Sequence, residues 1–247
     1  MLGLLLSLAL AWAAPDANTL RTQWRTESPR LKLPVDLSEA DFATLAAGEA
    51  VAHRRDSAGG AFAIGAIWRP SPAKHAWVVI QDGKDRPLAG GSRTAWLPGA
   101  TATRRDVYMW IDLPWPLSDR HWVSRMDIQT DIHAATQGRV WQRRWTNAPN
   151  SPVIAKSVAD PEAVWIEQND GAWTIMEVGG GSLCVLVVRT VLGGAIPESI
   201  SGSWAVSTLK GTMRQVAKFS STAPQHYVAG HDQLYAPTGT ALPFGLR

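Results

Sequence analysis

Four charged residues, Arg120, Arg125, Arg143 and Glu167, are interleaved with Trp122, Trp141, Trp145 and Trp165 in segments that alternate with a period of two. A charge set among indoles can hold the polar end of a ligand whose remainder is apolar. Pockets for small molecules are mostly apolar walls with a few placed polar groups. The side chains that could supply such walls are Trp110, Trp122, Met126, Trp141, Trp165, Trp173, Met176, Trp204 and Met213. Part of this set must be plain core. The four charges equally suit a solvated outer face, because successive residues of a strand point to opposite sides of a sheet.

Other chemistries lack their residues. No Gly-x-Ser-x-Gly elbow and no phosphate loop occur in the sequence. Gly179-Gly180-Gly181 links one strand-like segment to another, so no helix start follows to receive a pyrophosphate. The six histidines show no zinc-protease spacing, and only His226 and His231 lie close together. Glu167 and Glu177 fall on opposite faces of an expected hairpin, which excludes a glycosidase-like acid pair. The expectation is a binding protein with no catalytic residue, no metal and no cofactor.

The elements that must position these residues follow from pattern. A helix is expected near 17–25, and a second opens at Ser38, with Ser38 as N-cap and Asp41 at the third helical position, ending before Gly48. Strands are expected at 49–55 and 61–69, joined by a Gly-rich turn at 57–60, followed by a helix at 73–81 and an edge strand near 93–97. Further strands are expected at 105–113, 121–133 and 139–146. Asp170-Gly171 reads as a hairpin turn between 162–168 and 172–178, setting Trp165 opposite Met176 and Glu167 opposite Thr174. The segment 182–190, apolar from Leu183 to Val188, reads as a central strand. Pro197 starts a last helix whose apolar stripe is Ile200, Trp204, Leu209, Met213 and Val216. Many hairpin-linked strands and a terminal helix give an α+β fold, a curved antiparallel sheet wrapped around a long C-terminal helix.

Composition sets the outer bounds. The chain has 247 residues, 45% of them hydrophobic, enough for one domain with a real core. Thirteen tryptophans are an unusual load and favour apolar pockets or an indole-rich core. Net charge is +3 and the basic pairs are scattered, so no stripe exists for nucleic acid. The apolar run 2–12, then Ala11-Trp12-Ala13, has the length and small-x-small ending of a secretory signal cleaved near 13–14. The expected location is therefore periplasmic or extracellular. One cysteine, Cys184, cannot form an internal disulfide.

Four segments carry a family resemblance, the earliest being Glu39 to Val51, a short helix leading into a strand. DLPWPLSDRHWV at 112–123 resembles a proline-flanked segment leading into an Arg-Asp strand start in START domains, the lipid-transfer family related to the steroidogenic acute regulatory protein. WIEQNDGAW at 165–173 resembles the hairpin that follows, and VLGGAIP at 191–197 resembles the Gly-Gly approach to the last helix. His121 stands where the family commonly has Asp. The resemblance covers 38–218 and implies a helix-grip fold, with a hydrophobic tunnel closed by the C-terminal helix. It divides the chain into a signal at 1–13, an extension at 14–37, the START-like domain at 38–218 and a loosely ordered tail at 219–247. The implied function is binding or transfer of a lipid or sterol-like molecule, with transient membrane contact. An enzyme of the wider superfamily, a cyclase or hydrolase, and a filled-core structural module of the envelope remain the alternatives.

Overall fold

The computed structural model describes residues 14–33, 35–55, 62–83, 92–113, 115, 117–192, 198–227 and 234–241, with backbone alone at 92 and 198–205. The expected signal segment, the 57–60 turn, Pro114, Pro116 and Gly193-Gly194 lie outside the described residues, as does the Trp204 side chain.

Among the described residues nine strands form one curved sheet. They are β1 Val51–Arg55, β2 Phe62–Arg69, β3 Ser92–Trp96, β4 Arg104–Ile111, β5 Arg120–Ile128, β6 Val140–Asn147, β7 Val164–Trp165, β8 Gln168–Val178 and β9 Gly181–Val191. Their order is β1-β2-β9-β8-β6-β5-β4-β3, all antiparallel, with the two-residue β7 added parallel to β5. The helices are α1 Ala17–Glu27, α2 Glu39–Ala46, α3 Ala73–Gln81, α4 Thr130–Ala135, α5 Ser151–Ile154 and α6 Glu198–His226. α3 occupies the connection from β2 to β3, two strands toward opposite ends of the sheet.

Both faces of the sheet are covered, and β9 shows why it reads as an unbroken apolar run. Leu183, Val185 and Val187 pack with Leu20 and Trp24 of α1 and Phe42 and Leu45 of α2 on the outer face. Cys184 and Leu186 belong to the inner core, with Trp77 of α3 and Leu209, Met213 and Val216 of α6. A strand buried on both sides cannot alternate in polarity. α6 seats on β2 at Gly65, where a Cβ would stand 2.8 Å from Leu209 Cδ2. Residues 14–37 were expected as an extension, yet Leu20 and Trp24 are fully buried, so α1 is part of the outer layer.

Three expected elements are corrected. Asp170-Gly171 is no turn: β8 runs straight through it, with Asp170 opposite Arg189 and Gly171 opposite Val188 on β9. The Asp170 carboxylate pairs with the Arg189 guanidinium across the strands at 3.0 Å. Trp165 and Met176 therefore do not face each other, nor do Glu167 and Thr174. The strand expected over 121–133 stops at Ile128. Thr130–Ala135 is α4, which ends as Gly138 donates to His133 O at 2.8 Å and Gln137 donates to Ala134 O at 3.0 Å. That pairing is the Schellman ending of a helix. Finally, the last helix continues to His226, and the chain at 234–241 is held against α3 rather than loose. Trp77 Nε1 donates to Tyr235 O at 2.6 Å, and Gln81 Nε2 to the same oxygen at 2.9 Å.

Candidate functional site

The inner face is built by residue parity. On β6, Trp141, Arg143 and Trp145 point inward; on β8, Trp173 and Ile175; on β5, Met126 and Ile128. α6 packs chiefly on β1, β2 and α3. Toward β4 and β5 the cover is instead the end of α3 and the segment around Tyr235. Under that cover lies a cleft walled by Gln81, Thr101, Thr103, Arg105, Met126, Ile128, Arg143 and Tyr235. Its cavity volume is about 10 Å3, room for roughly one water.

The cleft is apolar on its floor and cationic at its back. Met126 and Ile128 are only half-buried. Arg143 is 6% exposed, and its Nη1 donates to Ile80 O at 3.2 Å. Among the described residues this is its one hydrogen bond, and no carboxylate pairs with it. Burial, reinforced by the charge of Arg105 and opposed by that of Asp127, pushes its pKa down to about 9, so it remains a cation at neutral pH. Arg105, also buried, faces Met126 across the β4–β5 register and lies over the Trp96 ring at 4.0 Å. Burial lowers its pKa too, with Tyr235 acting in the opposite sense. Asp127 is spent on Arg104 at 2.6 Å, on the other face of the sheet.

The structure divides the expected lining residues. Met126, Trp141, Trp173 and Met213 share the inner core, with Trp141 edge-on to Trp77 at 5.8 Å. Trp122 joins a separate cluster with Ile111, Leu113 and Ile166, and its indole donates to Ser124 Oγ at 2.9 Å. Trp110 and Trp165 lie on the opposite face with Tyr108, Val123 and Ala155. Met176 is buried in the outer core beneath α1 and α2. These last three point away from the cleft.

The expected anchors divide as sharply. Only Arg143 lines the cleft. Arg120 is buried but ties loops together, donating to Leu192 O at 2.8 Å and to Ser118 O at 2.5 Å. Arg125 forms a two-pronged pair with Asp106, at 2.9 and 2.7 Å, on the odd-numbered face of β5. Glu167 is exposed. Of the cleft residues named above, only Met126 and Arg143 were among the expected site residues. Arg105 was visible as half of a basic pair, and parity with Val107 and Met109 on β4 places it inward. Tyr235 carried no periodic signal, because its place is set by backbone hydrogen bonds to α3.

The inner-face Cys184 is fully enclosed, and burial pushes its thiol up to about 12. Among the described residues no group of three His, Cys, Asp or Glu could hold a metal ion. No helix among them is long and apolar enough to cross a membrane.

Comparison with known proteins finds no matching family model and no matching curated protein. Solved structures do match. A fragment of the STAR-related lipid transfer protein from Xanthomonas axonopodis superposes with a TM-score of 0.55 and 20% identity, over 70% of this chain and 93% of that one. Human StAR-related lipid transfer protein 5 gives 0.56 at 13% identity, over 83% and 93%. Human STARD10 gives 0.56 at 13%, over 79% and 84%. The chain therefore has a START-like, helix-grip fold: a curved antiparallel sheet closed by its C-terminal helix.

Proposed function

We propose that this protein binds a hydrophobic small molecule of the lipid class between the concave sheet face and the cover formed by the end of α3 and the segment around Tyr235, and releases it unchanged. One observation carries the reading. Met126 and Ile128 lie half-covered on the floor of a cleft that is open at its mouth and is roofed partly by a short C-terminal segment. Two of the superposed structures bear lipid transfer in their names, which supports the same reading.

The energetics follow from desolvation. Burying a methylene yields about 0.8 kcal/mol, so a twelve-carbon chain supplies roughly 9 kcal/mol before the cost of association. The enclosed volume is far below that of such a chain, so loading requires the roof to move. The segment at 234–241 is the part best suited to move. Its contacts with α3 include hydrogen bonds from Trp77 and Gln81 to Tyr235 O, a third from Tyr235 N to Gln81 Oε1, and the burial of Leu234.

The test is loading followed by native mass spectrometry. Full-length protein incubated with a bacterial lipid extract and desalted should carry one lipid per chain. Protein that stays empty, and that leaves a neutral apolar dye unbound, would count against binding. A bound molecule returned chemically altered would favour catalysis instead.

A further inference from the structure

The buried cation at the back of the cleft says what kind of amphiphile fits, an inference that rests on the binding function proposed above. A guanidinium carries five N–H donors in a rigid fork matched to carboxylate and phosphate oxygens. Arg143 uses one of them, on Ile80 O. Buried charges in proteins are normally paired, because an uncompensated one is costly to desolvate. Here the stronger neighbouring charge is a second arginine, Arg105, which lines the same cleft, while Asp127 acts more weakly in the opposite sense and is itself paired with Arg104. The face of Trp96 lies against Arg105 at 4.0 Å, so one side of that guanidinium is already occupied and its position is fixed. Met126 and Ile128 lie beside these two arginines on the cleft wall. Cationic back, apolar floor and open mouth are the order of groups that an acid-ended chain presents.

We infer that the ligand is an anionic amphiphile, with a terminal carboxylate or phosphate on Arg143, assisted by Arg105, and its apolar chain along Met126 and Ile128 toward the mouth. Neutral lipids of the same length bind more weakly, because they leave Arg143 unpaired. A cationic head is repelled. A charge-assisted hydrogen bond separates the anionic from the neutral ligand by at least about tenfold in affinity.

The experiment uses the full chain and three probes of equal chain length, dodecanoate, dodecyl phosphate and dodecanol, each below its aggregation threshold. Displacement of the neutral dye N-phenyl-1-naphthylamine reports binding. At least one anionic probe should displace the dye at tenfold lower concentration than dodecanol. Which anion wins separates a fatty acid from a phosphate-ended lipid. Arg143→Met should remove that advantage while leaving dodecanol bound equally or more tightly. Dodecanol binding as tightly as both anions in the unaltered protein overturns the head-group assignment but leaves lipid binding standing. No displacement by any probe overturns both. Should Arg143→Met fail to fold, the three-probe comparison in the unaltered protein still decides.

Discussion

The indole of Trp145 lies against Gly171, at a distance where a Cβ on residue 171 would stand 2.4 Å from the ring and 2.3 Å from Val187 O. The same indole donates to Asn169 Oδ1 at 2.6 Å. Glycine is present here to let an inward tryptophan lie flat on the neighbouring strand, not to make a turn. Gly171→Ala should therefore lower stability by about 3 kcal/mol, through overpacking against backbone that cannot yield. Urea unfolding followed by circular dichroism measures it; a loss under about 0.5 kcal/mol would mean that Trp145 is not locked in this position.

Gly65 makes a similar contact with a different tolerance. An added Cβ meets side-chain atoms of Leu209 and Met213 rather than backbone. Gly65→Ala should cost under about 1 kcal/mol, whereas Gly65→Val should cost about 2 kcal/mol and loosen α6 on β2. Equal costs for the two variants, again by urea unfolding, would show that α6 does not seat there.

Arg143 should be a stability liability in the empty protein. Its charge is buried with one hydrogen bond and no salt bridge among the described residues, and the nearest favourable charge, Asp127, is paired with Arg104. Arg143→Met keeps the volume and removes the charge, at the cost of one hydrogen bond to Ile80 O. The expected result is a gain of about 1 kcal/mol in unfolding free energy without ligand. A loss of more than about 1 kcal/mol would show that the guanidinium holds the sheet to α3 instead.

His121 sets a pH dependence. It is fully enclosed, stacked on Trp165 at 3.8 Å between ring centroids, with Nδ1 bonded to Tyr108 Oη at 3.0 Å. Burial lowers its pKa below the ordinary 6.5, although Asp160 pulls the other way. The unfolded chain then binds the proton more readily, so stability falls as pH drops below about 6.5 and levels off once the folded histidine is protonated. His121→Phe should flatten that part of the stability curve. An unchanged slope in thermal melts between pH 6.5 and 5 would assign the acid sensitivity to other groups.

Much of this architecture is written locally. The Ser38 capping box forms as read, with Asp41 N donating to Ser38 Oγ and Ser38 N to Asp41 Oδ2. The apolar run from Leu183 to Val188 lies in β9, the strand between β2 and β8. Long-range packing decided the rest. Asp-Gly is a strong hairpin signal, but a cross-strand ion pair with Arg189 and the Trp145 ring outweigh it. That misreading shifted the register, which flips faces because a strand has a period of two. Trp173 and Met176 could never both point inward on one strand, being three residues apart. The choice among Arg120, Arg125 and Arg143 depended on strand face and on remote partners such as Asp106 and Leu192 O, which no local pattern encodes.

The central claim is that an apolar guest occupies the space above Met126. Isothermal titration with dodecanoate, comparing the unaltered chain with Met126→Trp, tests it most directly. The substitution fills the cleft with an indole, and circular dichroism checks that the fold is kept. The account predicts one ligand per chain in the first protein and at least about a tenfold loss of affinity in the second. Equal binding by both proteins, or none by either, would contradict it.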